Sequence, residues 1–252
     1  MGGLIPRCEI FVSLAFVLLL GCSTTATPPV VSSLKLDESF THEAIVAGKM
    51  GIGGVVSLAA ASDRREAATY ARLLRSALMN ERADFVVLPV EEVTRKIGID
   101  SQQMILEEYA QAARLSLPSL KEAQAVADEC RYIVFARVID NEVEEACREY
   151  TETDREEGSS EENIWVELIT TRHITASMDV YDLVRASSVF HGTIDISKSA
   201  IKKYSKTKDR NIGEMFLRIP VHAFVQTALQ PKPPSTEKLL GKLFVAFAKN
   251  MP

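Results

Sequence analysis

The sequence predicts an α/β (α+β) domain: a mixed sheet of about five strands with helices packed on it, preceded by a signal peptide and a flexible tether. Three observations predict this. Apolar residues recur at helical spacing in the first half of the chain and alternate strictly after residue 170. One run, Tyr132 to Ile139, is apolar almost throughout, as in a strand covered on both faces. The chain of 252 residues has room for one sizeable domain with appendages.

The elements follow in order. Met50 to Leu58 is the first strand, with Gly51, Gly53 and Gly54 inside it. Asp63 and Glu66 fit a capping box, and Ala67, Ala71, Leu74 and Leu78 repeat at helical spacing behind it. Asp84 to Val90 reads as a short strand ending near Pro89, and a short helix to Ile97 stops at Gly98. A helical stretch from Gln102 to Leu115 is broken by Pro118, with Ser119 and Glu122 capping a successor. After the Tyr132 strand, Ile174, Ala176, Met178 and Val180 alternate with Thr175, Ser177 and Asp179. Phe190, Ile194 and Ile196 alternate with His191, Thr193 and Asp195. This is a half-buried antiparallel hairpin turning around residues 185–188. After Pro231, Pro233 and Pro234, an amphipathic helix carries Leu239, Leu240, Leu243, Phe244 and Phe247.

The amino terminus reads as a targeting segment, with Arg7 ahead of an uncharged run from Ile10 to Leu20. Eleven residues make about 16 Å of helix, too short to cross a hydrocarbon core of about 30 Å. The run ends in Leu19-Leu20-Gly21-Cys22, which resembles a bacterial lipoprotein lipobox. Leu20 stands where a small residue is commoner, and Glu9 weakens the positive start. The resemblance implies cleavage before Cys22, acylation of Cys22, and, with Ser23 following, sorting to the outer membrane facing the periplasm. The Pro-rich, polar opening after it is expected to be a tether that keeps the domain roughly 25–30 Å from the lipid. Leu34, Leu36 and Phe40 offer the alternative of docking on the domain.

The expected organisation is therefore a signal peptide at 1–21, a lipidated Cys22 and tether at 22–48, an α/β domain at 49–230 and a Pro-rich linker with helix at 231–252. Net charge is −5 and owes its sign to one segment. Between Asp140 and Glu162, eleven acids face two arginines, which predicts a solvated loop over about 140–163. A basic run follows the last hairpin strand, at Lys198, Lys202, Lys203, Lys206, Lys208 and Arg210. Nothing in this balance points to nucleic acid.

The lipobox, the linker, Ile52-Gly53-Gly54-Val55-Val56, Arg131 to Arg137 and an Asp-containing hairpin together resemble proteobacterial outer-membrane lipoproteins. Over about Met50 to Ser197 the layout is distantly similar to the TolB amino-terminal domain. It is also similar to the activator lipoproteins of penicillin-binding proteins and to the curli secretion lipoprotein. The resemblance implies a non-enzymatic envelope role, with another envelope protein or wall component as partner.

Catalytic signatures fail on order or spacing. The glycines at 48–54 lie at the start of their strand, whereas a phosphate loop follows its strand and ends in Gly-Lys-Ser/Thr, so helix-on-strand packing is their expected use. His42, His173, His191 and His222 have no zinc-enzyme spacing, and no metal or cofactor is expected. His173 and His191 are expected as cross-strand neighbours on a polar face, and Asp179, Asp182 and Asp195 as solvated strand-face or turn residues. The alternatives that remain are a hydrolase site assembled from distant residues and a secretion-complex subunit.

Cys130 and Cys147 flank the central strand. An oxidising compartment favours a bond between them, whereas a straight strand over 131–139 holds its ends about 27–30 Å apart. The sequence leaves the pairing open.

Overall fold

The computed structural model describes residues 23–58, 64–156, 159–206 and 229–252. The targeting segment, Cys22, Asp63, His222, Lys208 and Arg210 lie outside them. The strands are β1 (Ser23–Ala26), β2 (Val30–Leu36), β3 (Met50–Ser57), β4 (Val87–Leu88), β5 (Tyr132–Glu156), β6 (Ser159–Asp182) and β7 (Ser187–Lys206). The helices are α1 (His42–Gly48), α2 (Arg64–Glu81), α3 (Val90–Ile97), α4 (Ile99–Ala112), α5 (Leu117–Ala123) and α6 (Thr236–Asn250). The mixed α/β class is as expected. The sheet has seven strands in the order β1-β7-β6-β5-β3-β4, with β2 also pairing β7.

The chain forms two compact units. The larger comprises residues 26–144, 171–199 and 233–252. Here β3 runs parallel to both β4 and β5, and its residues from Met50 to Val56 are buried. Side chains of β5 divide between two apolar layers, since successive residues point to opposite faces. Tyr132, Val134, Ala136 and Val138 join Leu74 and Leu78 of α2 and Leu243, Phe244 and Phe247 of α6. Ile133 and Phe135 face Val93 and Ile97 of α3, Ile105 and Tyr109 of α4 and Leu120 of α5. Helices therefore cover both faces, as the unbroken apolar run required.

The glycines of β3 permit this packing. A Cβ at Gly53 would fall 2.3 Å from the Phe135 ring, and one at Gly54 would fall 2.7 Å from Leu106 on α4. The β3–β5 register shifts between Ile52 and Gly54, where Gly54 has φ 146°.

Several boundaries differ from the sequence reading. Pro118 does not break a helix; it sits in the first turn of α5, where a missing N–H costs nothing, behind the Ser116 cap that accepts from Ser119 N. The stretch expected to be a flexible tether holds β1, β2 and α1. β2 is antiparallel to β7 from Val30↔Asp195 to Leu36↔Phe190. Thr41 caps α1, and Phe40 is buried with its ring edge-on to Tyr132 at 5.2 Å. The apolar face of α6 is buried in the same core, so the segment from Pro233 onward belongs to the larger unit.

The smaller unit contains residues 145–170 and 200–232 and the chain before Ala26. The acids expected in a solvated loop over 140–163 lie instead on the outer parts of β5 and β6, apart from Glu157. Carboxylates stay hydrated on a strand while the backbone ladder continues, so a charge block forbids burial and not pairing. In this unit Lys203 Nζ lies 2.7 Å from Glu167 and 5.7 Å from the Tyr150 ring centre, and Tyr150 Oη donates to Glu167 at 3.3 Å. Among the described residues no helix is long and apolar enough to cross a membrane.

Candidate functional site

The polar residues with the most unusual surroundings all belong to the larger unit. Tyr109 is placed by α4, one turn beyond Ile105, with its side chain fully buried. A buried phenol needs an acceptor. Tyr109 Oη donates to Asp179 Oδ2 at 2.6 Å and lies 3.3 Å from Phe135 O. Asp179 Oδ1 meets His191 Nδ1 at 2.8 Å, and the His191 side chain is about one-third exposed. The chain Tyr109–Asp179–His191 thus runs from the helix layer across β6 and β7 to the surface.

Burial raises the Asp179 carboxyl above its usual range, opposed by its bonds to Tyr109 and His191 and by the charge of Arg137. Burial and the Asp179 carboxylate hold the Tyr109 phenol well above 10. Tyr109 is therefore held as a proton donor to Asp179. Where Asp179 is ionised, the proton of this contact sits on His191 Nδ1. Arg137, behind the network, donates to Ala110 O at 3.5 Å, and its Nε has no partner among the described residues.

Asp182 is the second buried carboxylate, fully enclosed. Arg131 donates to its Oδ2 from Nε at 2.9 Å and from Nη2 at 2.6 Å. Its Oδ1 accepts from Val184 N at 3.0 Å and Arg185 N at 3.2 Å, closing the β6–β7 turn. The ion pair, led by the hydrogen bond, raises the Arg131 guanidinium further above its ordinary value. This aspartate holds a turn.

Asp179 and Asp182 were expected to be solvated, and both are buried. For Asp179 the reason is the second helix layer, which packs with Tyr181 and Leu183 on the face of β6 that alternation marks as polar. Asp182, at the strand end and of opposite parity, is enclosed by Arg131 and the turn it closes. Asp195 remains half-buried and accepts from Thr175 Oγ1 at 2.6 Å. The expected His173–His191 pairing does not form; His173 lies 3.4 Å from Glu144 and His191 lies on Asp179. His42 lies 3.4 Å from Asp84. Among the described residues no group of three or more His, Cys, Asp or Glu is placed to hold a metal.

The structure records Cys130, in the larger unit, and Cys147, in the smaller, as free thiols. Cys130 is buried and Cys147 is exposed. Burial pushes the Cys130 thiol up to about 12.

Two concavities belong to this unit. One, of about 520 Å³, is lined by Arg65, Glu66, Thr69, Tyr70, Ser235, Thr236 and Glu237 at the starts of α2 and α6. The other, of about 200 Å³, involves Thr27, Val30, His173 and Asp195. Neither includes Asp179 or His191. No sequence signal marked Tyr109, which reads as one more apolar position of α4.

No protein-family model matches the chain, and no curated protein matches it in sequence. Among solved structures, it is similar to the PelC dodecamer from Paraburkholderia phytofirmans. That match has a TM-score of 0.31 and 11% identity, covering 88% of this chain and 96% of that one. It is also similar to lipoprotein GNA1162 from Neisseria meningitidis. Here the TM-score is 0.29 and the identity 14%, covering 71% of this chain and 96% of that one. At these scores the likeness establishes neither a family nor a function.

Proposed function

We propose that the chain is a lipid-anchored envelope lipoprotein with a non-catalytic domain that binds or positions another envelope component. In this reading it is exported, cut before Cys22, acylated there, and held at the outer membrane facing the periplasm. The observation that carries the reading is the apolar run ending in Leu19-Leu20-Gly21-Cys22. The lipoprotein resemblance of the element order supports it. So does the use of both buried carboxylates as internal fasteners, Asp182 by Arg131 and two backbone amides and Asp179 by Tyr109 and His191. A single acyl chain binds a bilayer only marginally, so the three acyl chains of a mature lipoprotein would make the anchoring stable.

Palmitate labelling and membrane fractionation test the anchor: Cys22→Ser should abolish the label and release the protein. Unchanged labelling and fractionation would overturn it. In-cell crosslinking with mass spectrometry tests the accessory role and should capture one discrete envelope partner.

A hydrolase is the second reading, favoured by one observation: a buried carboxylate orients an imidazole that reaches the surface. Against it, among the described residues no Ser, Thr or Cys side chain is hydrogen-bonded to His191. Hydrolysis of an activated ester by the purified protein, lost in His191→Ala, would establish it.

A further inference from the structure

The geometry points to the outer edge of β2, through Val31, Leu34 and Leu36, as a surface that rests on the lipid bilayer. This rests on the acylation of Cys22 proposed above.

The first argument is chain length. A free tether would let the domain float, but β1 begins at Ser23, the residue after the anchor. Only residues 27–29 separate β1 from β2. Thr27 is itself tied to Ser197, through N to O at 3.1 Å and hydroxyl to hydroxyl at 2.9 Å. Val31 is nine residues from Cys22, so even a fully extended chain keeps it within about 30 Å of the acylated residue. Both β1 and β2 are hydrogen-bonded to β7. The anchor therefore leads straight into the sheet.

The second argument is the face. The β2–β7 register shifts between Val31 and Ser33, with Val31 opposite Ile194, Leu34 opposite Gly192 and Leu36 opposite Phe190. Opposed residues share a face, so the shift gathers the three apolar side chains on the side where Phe190 and Ile194 are buried. Phe247 of α6 covers this face at Gly192, but β2 lies beyond that cover. Val31 is 39% exposed, Leu34 46% and Leu36 50%.

The third argument is charge. From Ser23 to Leu36 the chain carries Lys35 and no acid. Of the two acids that follow directly, Asp37 lies 3.5 Å from Arg185, which leaves Lys35 and Glu38 as the unlike charges nearest the strip. Depth is limited by the backbone. Among the described residues β2 pairs with β7 alone, and the backbone groups of its other side would be left unsatisfied by hydrocarbon. The strand therefore lies at headgroup level, with its apolar side chains at the acyl boundary, while Lys35, opposite His191, belongs to the other face of the sheet.

The test uses the full acylated protein in phosphatidylethanolamine–phosphatidylglycerol vesicles containing nitroxide lipid, in a Cys147→Ser background. Cys130 is buried and Cys22 is acylated in this reading, so an environment-sensitive fluorophore reacts at one introduced thiol. Leu34→Cys reports the proposed surface. Ile99→Cys on α4 is the control, because α4 packs on β3, and β7, β6 and β5 stand between β3 and β2. Nitroxide quenching should be about threefold stronger at 34 than at 99, as for side chains at the interface and side chains in water. In the lipid-free chain with Cys22→Ser, a water-soluble maleimide should modify Leu34→Cys rapidly.

Equal quenching at both sites in protein that floats with the vesicles overturns the surface and leaves the anchor standing. Failure to float overturns the anchor, and the surface with it. Slow modification of Leu34→Cys without lipid means that residues 207–228 or a second copy cover the strip, which also overturns the proposal.

Discussion

The strands β5, β6 and β7 contribute to both units of the molecule and behave differently in each. In the larger unit β5 is enclosed from Tyr132 to Ala136 by helices on both faces. In the smaller unit the same strand continues through Glu145, Arg148, Glu149 and Tyr150, all exposed. The backbone ladder is common to the two; among the described residues, the packed helices belong to the larger. A ladder needs only extended backbone and a neighbour, whereas stability comes from the apolar area removed from water. Charge decides which part of a strand is covered. It does not decide where the strand ends.

The sharpest contrast to break is the cover itself. Phe244→Ala, on a fully buried ring of α6, should cost about 3–5 kcal/mol by urea denaturation. Lys203→Ala, on the exposed ladder, should leave the midpoint unchanged. Equal effects would remove the distinction between the two regions.

Next comes the Asp182 turn. Arg131→Met leaves an enclosed carboxylate with backbone donors alone. The loss should be roughly 2–3 kcal/mol, less than for a fully buried pair because the Arg131 side chain is 36% exposed. Arg131→Lys should recover part of it, without the two-pronged geometry.

The Asp179 network should respond less to deletion and more to pH. Tyr109→Phe removes one donor to a buried oxygen and should cost about 1–2 kcal/mol. The folded state raises the Asp179 pKa, so the folded state holds that proton more tightly than the unfolded chain does. Its contribution is fully present below the ordinary Asp value and is lost as pH rises through the raised one. Wild type should therefore gain stability relative to Asp179→Asn as pH falls through that window. A pH-independent difference would show that Asp179 titrates normally in the fold.

The smallest perturbation sharpens the comparison through the thiols. In protein without the targeting segment and with Cys22→Ser, native alkylation should modify Cys147 alone. Cys130, buried and with its thiol pushed up to about 12, should react only after denaturation. Two protected thiols that become reactive on reduction would restore the disulfide.

Element type was legible where local periodicity and burial agree. The Tyr132 run, the Leu239–Phe247 face and the Ile174–Val180 alternation each named the core side chains that the structure buries. Reading failed where distant elements decide. Asp179 and Ser177 alternate with apolar residues as solvated positions do, yet both are buried, Asp179 against Tyr109 of α4. Tyr109 carried no sign of its partner, which lies 70 residues further along the chain.

By itself, the sequence determined the expected anchor motif, the mixed α/β class and the residues that seek burial, because these follow from chemistry within one strand or helix. Only the tertiary structure decided that the expected tether is paired into the sheet and that the acidic segment is extended. It alone buried two aspartates among their own partners. Pairing and cover depend on which remote surface arrives opposite a residue, and that information is held by no local stretch of chain.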